Sequence, residues 1–252
     1  MIRGLTPLHD AHRILARLSA IEVNALLQLG IRVETSEGDG TYLIRLGRHT
    51  LPTKSDLPLL PGREYWVDLE RTGEGPIRLL RPLLKPKILQ EEGFVPFRTD
   101  LLAQLSEEKS PIDGFRERLV QMMAATQSRE QFQTLSQLLL SLHHGVVTLP
   151  ILAEGRRTLL QMRKGGKNET LKQKSVEFYA AFNNLGPVEG AIAWHGELSL
   201  LKLEVYYPKT LHLLEGLKEE LTGFSQITVV RSPEPIRPFW ESETDGLLDI
   251  RG

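Results

Sequence analysis

The sequence predicts an α+β chain with an N-terminal small antiparallel β-barrel, a helical middle segment and a C-terminal α+β domain with one helix on an antiparallel sheet. Three observations predict it. Short runs between Leu29 and Pro86 alternate apolar and polar residues. Apolar spacing then changes to three and four through residues 87–145. It returns to two after Val146, with one leucine-rich helical stretch before a last strand. A period of two buries one face of a strand, and a period near 3.6 buries one stripe of a helix. The expected segments are an N-terminal helix at 1–28, a barrel at 29–86, helices at 87–145, an α+β domain at 146–231 and a Pro/acidic tail at 232–252.

Composition excludes several classes. The 252 residues suffice for one large or two smaller domains, each able to bury a core. A formal charge of −1 is not the basic excess of a dedicated nucleic-acid binder, so no such partner is expected. There is no apolar run of about 18 residues, so membrane insertion is not expected. The N-terminus shows only Arg3 and no apolar stretch, so no secretory signal is expected. Cysteine is absent, which removes disulfides and thiolate chemistry. That suits a cytoplasmic protein and equally one exported unfolded.

Thr6-Pro7 reads as a helix start, and Leu8, Ala11, Leu15 and Leu18 form its stripe. His9 and His12 share that helix, but with no third ligand nearby they read as solvated. In the β region Ile31 and Val33, then Tyr42, Ile44 and Leu46, then Tyr65, Val67 and Leu69 alternate with polar neighbours or with Trp66. Gly38-Asp39-Gly40, Pro61-Gly62 and Gly73-Glu74-Gly75 supply turns. About five short strands suggest a barrel of OB or similar type. Balanced charges and few aromatics favour a structural or protein-binding barrel over a single-strand binder.

In the middle, Phe97, Leu101, Leu102 and Leu105 form one periodic set, and Ser110-Pro111 opens the next helix, with Ile112, Phe115, Leu119 and Met122 facing inward. Ser128 to Gln131 reads as a capping box, followed by Phe132, Leu135, Leu139 and Leu142. His143-His144 ends that helix, where the dipole suits partial positive charge.

From Val146, Val147, Leu149 and Ile151 alternate, with Thr158 to Met162 as hairpin partner. Arg163 to Lys174 is a basic loop whose Lys164-Gly165-Gly166-Lys167 fails the phosphate-loop pattern, because Gln161 and Asn168 stand where it needs Gly and Ser/Thr. Val176, Phe178, Ala180 and Phe182 form a strand, and Leu185-Gly186-Pro187 turn the chain. Val188, Ile192 and Trp194 line the next strand, and His195-Gly196 makes a tight turn. The period slips at Leu200-Leu201, which suggests a bulge. Leu211, Leu214, Leu217 and Leu221 then mark a helix ended by Gly223, its other face carrying Lys209, Lys218, Glu219 and Glu220. Ile227 to Val230 is a last strand. In the tail, Pro233, Pro235 and Pro238 oppose regular structure. Phe239-Trp240 reads equally as a linear binding motif or as packing on the sheet, and Leu247 to Ile250 as an end that docks back.

No metal-protease, nucleophile-elbow or dinucleotide motif occurs, so no catalytic residue, metal site or cofactor is expected and the chain reads as a non-enzyme.

The order strand, Leu185-Gly186-Pro187-Val188-Glu189, hairpin, leucine helix and last strand resembles the C-terminal domain of the flagellar hook-length control protein family. The resemblance covers about residues 146–231. It implies a protein, cytoplasmic and exported through the flagellar type III apparatus, whose C-terminal domain contacts the cytoplasmic domain of the export-gate protein. That contact switches export substrate specificity from rod and hook subunits to filament subunits. Hook and hook-cap proteins are further partners it implies. The implied contact residues are Leu185, Gly186, Pro187, Val188, Glu189, Lys209, Lys218 and Glu219. The family's long low-complexity ruler segment is missing, which puts length measurement in doubt. The alternative is a non-catalytic binding module whose OB-like barrel holds a protein, ligand or single-stranded nucleic acid.

Overall fold

A computed structural model describes residues 29–70, 77–90, 93–98, 101–153, 156–165, 174–195 and 198–241. The expected helix at 1–28 lies outside them. So do the Gly73-Glu74-Gly75 turn, most of the basic loop, Gly196 and the end of the tail.

Strands β1 (Leu29–Gly38), β2 (Thr41–Leu46), β3 (His49–Ser55), β4 (Glu64–Glu70) and β5 (Ile77–Leu84) close a barrel in the order β1-β2-β3-β5-β4. All pairs are antiparallel except β3 with β5. The alternating residues Ile31, Val33, Tyr42, Ile44, Tyr65, Val67 and Leu79 point inward and, with Leu59, form the barrel core. The tyrosine hydroxyls accept backbone N–H bonds there, Tyr42 from Leu59 at 3.1 Å and Tyr65 from Leu60 at 2.8 Å. The β4–β5 register slips between Trp66 and Asp68. Arg81 sits in that irregularity with a left-handed φ of 50°, a strained conformation for a side chain of this size. Its guanidinium bonds Asp68 Oδ2 at 2.7 Å.

Four helices follow: α1 (Lys87–Gln90), α2 (Leu101–Glu107), α3 (Pro111–Ala125) and α4 (Arg129–His143). Phe97 is not helical. It bridges Ile151 in parallel, its N–H bonding Pro150 O at 2.8 Å, and so covers the outer edge of the C-terminal sheet. Ser128 caps α4 by accepting from the Gln131 N–H at 3.3 Å, but the Gln131 side chain accepts from Thr126 rather than reaching back, so half the box forms. The buried face of α4 is centred on Leu135, Leu138 and Leu142, while Phe132, in the first turn, is 45% exposed.

Strands β6 (Val146–Ala153), β7 (Arg156–Lys164), β8 (Lys174–Phe182), β9 (Gly186–His195), β10 (Leu198–Val205) and β11 (Gln226–Arg231) form a second sheet in the order β11-β10-β9-β8-β7-β6. Helix α5 (Pro208–Gly216) connects β10 to β11, and this crossover makes β11 parallel to β10 while the other pairs are antiparallel. The α+β class stands, with this one parallel edge.

Two local expectations are corrected. β9 and β10 pair without interruption from His195–Leu198 to Val188–Val205, so there is no bulge at Leu200-Leu201. The period slips because Leu198 and Leu200 lie on the sheet face opposite Leu201 and Leu203. The leucine helix stops at Gly216 and continues as a 3₁₀ turn over Lys218–Glu220. Leu214 and Leu221 are buried, whereas Leu211 and Leu217 are only partly so.

One sheet face carries Leu160, Met162, Phe178, Val188, Ile192 and Leu203, in a single core with Phe115, Leu119, Leu135, Leu138 and Leu214 from the helices. Trp66 of the barrel belongs to the same core. The opposite face carries Gln161, Arg163, Glu177, Tyr179, Glu189 and Glu204. Among the described residues no helix is long and apolar enough to cross a membrane.

Candidate functional site

The Leu185–Glu189 stretch begins in a turn of Asn183, Asn184 and Leu185, flanked by the pair Phe182–Gly186. Gly186 has φ +74°, the left-handed region that closes a three-residue hairpin loop and that a side chain resists. Pro187 pairs with Ala181 one position beyond the last β9–β10 pair, Val188–Val205, where a missing N–H costs no bond to β10.

The turn is enclosed, which is not what a contact surface requires. Leu185, Gly186, Pro187 and Val188 are all buried. On one side Thr210, in the first turn of α5, donates its hydroxyl to Leu185 O at 2.8 Å. On the other side stands the barrel. Trp66 Nε1 donates to Phe182 O at 3.0 Å and to Asn183 O at 3.2 Å. Lys85 Nζ bonds Asn183 Oδ1 at 3.0 Å and Glu64 Oε2 at 3.1 Å, with its side chain only 7% exposed. The Tyr207 hydroxyl lies 3.0 Å from the carbonyl oxygens of both Trp66 and Arg81, inside the β4–β5 irregularity. Burial, with Asp68 adding to it, pushes the Tyr207 phenol well above its usual range and keeps it a neutral donor.

Of the five motif residues only Glu189 is not buried; it shares its sheet face with Pro187. It stands opposite Glu204 on β10, and its pKa is raised. Burial is the main cause and Glu204 and Glu177 add to it, while Arg163 and Lys202 counter it. The neighbouring carboxylates have partners, Glu177 in Arg163 at 2.7 Å and Glu204 in Lys202 at 2.5 Å.

The charged residues expected on the outer face of the leucine helix separate. Lys209 is 56% exposed, but its Nζ lies 3.9 Å from Asp68 Oδ1, so it faces the barrel instead of pointing away. Lys218 and Glu219 belong to the 3₁₀ turn, Glu219 exposed and Lys218 half-buried. The eight expected residues therefore divide into four that shape the turn, one on the sheet face, one toward the barrel and two at the helix end.

Sequence reasoning missed Trp66, Asp68, Arg81, Lys85 and Tyr207, which fasten the barrel to the sheet. One signal was available. Tyr65-Trp66-Val67 is apolar on three successive positions, and a strand buried on both faces loses its alternation. Among the described residues no group of three His, Asp or Glu is placed to hold a metal ion. His144 is engaged differently, its ring stacked on Trp240 with centroids 6.4 Å apart.

No protein-family model matches the chain, and neither a curated protein nor a solved structure matches it.

Proposed function

We propose that the chain is a non-catalytic switch protein of the hook-length control kind. Residues 146–231 would meet the cytoplasmic domain of a flagellar type III export-gate protein and change the class of subunit exported. The observation that carries this reading is the order over residues 174–231: a strand, a Leu-Gly turn with φ +74° at Gly186, a hairpin, one helix and a closing strand. The buried motif residues give the hairpin its shape, and the contact itself falls to the charged groups around it: the exposed Glu219 with the half-buried Lys218 at the helix end, and the partly buried Glu189 on the sheet face. Such a contact gains specificity and rate from charge and weakens with salt. Length measurement forms no part of the proposal, because a barrel and helices stand where a ruler segment would.

Retention of the full chain on an immobilised export-gate cytoplasmic domain tests it. Binding is expected at low salt, weakened by Lys218→Glu or Glu219→Lys. Absence of binding at low salt would overturn the reading. The barrel-centred alternative lacks a stacking platform: Tyr42, Tyr65 and Trp66, the aromatics of the described barrel strands, are all buried.

A further inference from the structure

Residues 239–241 lie against the open face of the second sheet without joining its ladder, and the contacts they make are those of a bound peptide. Gln161, 1% exposed in the middle of β7, uses both ends of its amide on one residue: Nε2 donates to Trp240 O at 2.7 Å, and Oε1 accepts from Trp240 N at 3.2 Å. These bonds read backbone alone and would hold any residue at that point. The side chains on either side are read separately. The Arg163 guanidinium, fixed by Glu177, lies 3.9 Å from the centre of the Phe239 ring, and the Tyr179 ring lies 6.4 Å from it. The Trp240 ring stacks on His144. Glu241 accepts the Lys87 backbone N–H at 2.7 Å.

The fit is incomplete. A cavity of about 20 Å³ remains beside the segment, lined by Trp240 and Glu241 together with Ile88, Gln137, Thr148 and Leu159. Phe239 and Trp240 are only half-buried. The segment is held by side chains and a few hydrogen bonds, so it can lift without breaking a strand pair. Just before it the chain is anchored more firmly: Ser232 N bonds Val205 O at 2.8 Å, and Ile236 is buried. These anchors hold the segment beside its own sheet.

We propose that Gln161, Arg163, Tyr179, His144 and the Lys87 N–H form a peptide-binding groove that residues 239–241 fill as a built-in pseudo-ligand. The partner it admits is an extended segment of another protein with two aromatic residues followed by a carboxylate. The proposal does not depend on the flagellar reading.

The test uses the full chain and a fluorescein-labelled peptide with the sequence of residues 236–241. In Phe239→Ala/Trp240→Ala the segment keeps its backbone bonds but loses its ring contacts, so the labelled peptide, which has both, displaces it and binds. The parent binds it at least about tenfold more weakly, because apparent affinity falls with the fraction of molecules whose groove is open. Adding Gln161→Ala to the double variant lowers binding at least about tenfold, the loss of one or two hydrogen bonds. Lack of binding by a double variant with a parent-like circular dichroism spectrum overturns the proposal, as does equal binding by the parent. A parent that is dimeric in solution also overturns it, in favour of tail exchange between copies. If the double variant does not fold, hydrogen exchange on the parent decides. Exchange of the Trp240 N–H well before the β8 amides supports a segment that lifts, and exchange only together with them overturns it.

Discussion

Trp66 and Phe182 are 116 residues apart in sequence, and the indole N–H of the first donates to the carbonyl of the second at 3.0 Å. This bond fastens the barrel to the turn on which the second sheet is organised. Trp66→Phe keeps most of the buried ring but leaves the Phe182 and Asn183 carbonyls without their indole donor. The expected loss is about 1–3 kcal/mol in urea unfolding of the whole chain. A parent-like midpoint and slope would mean that the two parts are held together by apolar contact alone.

Gly186 and Gly190 fail for different reasons when given a side chain. Gly186→Val forces a β-branched residue to φ +74°, costing about 1 kcal/mol or more. At Gly190 the obstacle is packing: a Cβ would lie 2.2 Å from Cζ of Phe178, its partner across β8 and β9. Gly190→Ala is expected to cost about 1–3 kcal/mol, the usual range for overpacking a core. Pairing it with Phe178→Leu, which removes the clashing ring edge, should recover part of that loss. Thermal melts of the two single variants and the pair measure the coupling, and strict additivity would contradict the contact.

The leucines after Pro208 divide by burial. Leu214 is fully buried, so Leu214→Ala should cost about 2–5 kcal/mol. Leu217→Ala, at the half-buried end of α5, should cost clearly less. Glu219→Gln and Glu220→Gln should stay within about 0.5 kcal/mol. Denaturant titration gives the order, and equal losses at Leu214 and Leu217 would mean that the helix packs as the longer element its spacing suggests.

That contrast marks what was legible in the sequence. Alternation located β1, β2, β4 and most of the second sheet, because that pattern is local; β3, His49–Ser55, carries no such run and was not read as a strand. Ser110-Pro111 and Ser128 located helix starts through chemistry confined to one turn. The end of α5 was not legible, since Leu217 and Leu221 keep helical spacing through a 3₁₀ turn. Nor was the partner of Lys209, because Asp68 approaches from another part of the fold. The motif itself was read as a contact. Its four small and apolar members are buried because the barrel and α5 close over them, and no local pattern records a neighbour that arrives from 116 residues away.

Glu189 links the motif to pH. On the sheet face burial raises its pKa, Glu204 opposite and Glu177 beside it raise it further, and Arg163 and Lys202 offset this in part. The folded chain therefore holds this proton to a higher pH than the unfolded chain does. Its contribution to stability is complete below the unfolded value of about 4.3 and is lost as pH rises through the folded value. Glu189→Gln is neutral throughout and escapes the loss. Its Tm should match that of the parent near pH 4 and exceed it at pH 7, with the gap opening between the two. Measured from pH 4 to 8 at fixed ionic strength, a variant that melts below the parent at pH 7 would reverse the assignment. The carboxylate would then be held as an anion by Arg163 and Lys202, and the open face would carry balanced ion pairs instead of one carboxylate left over.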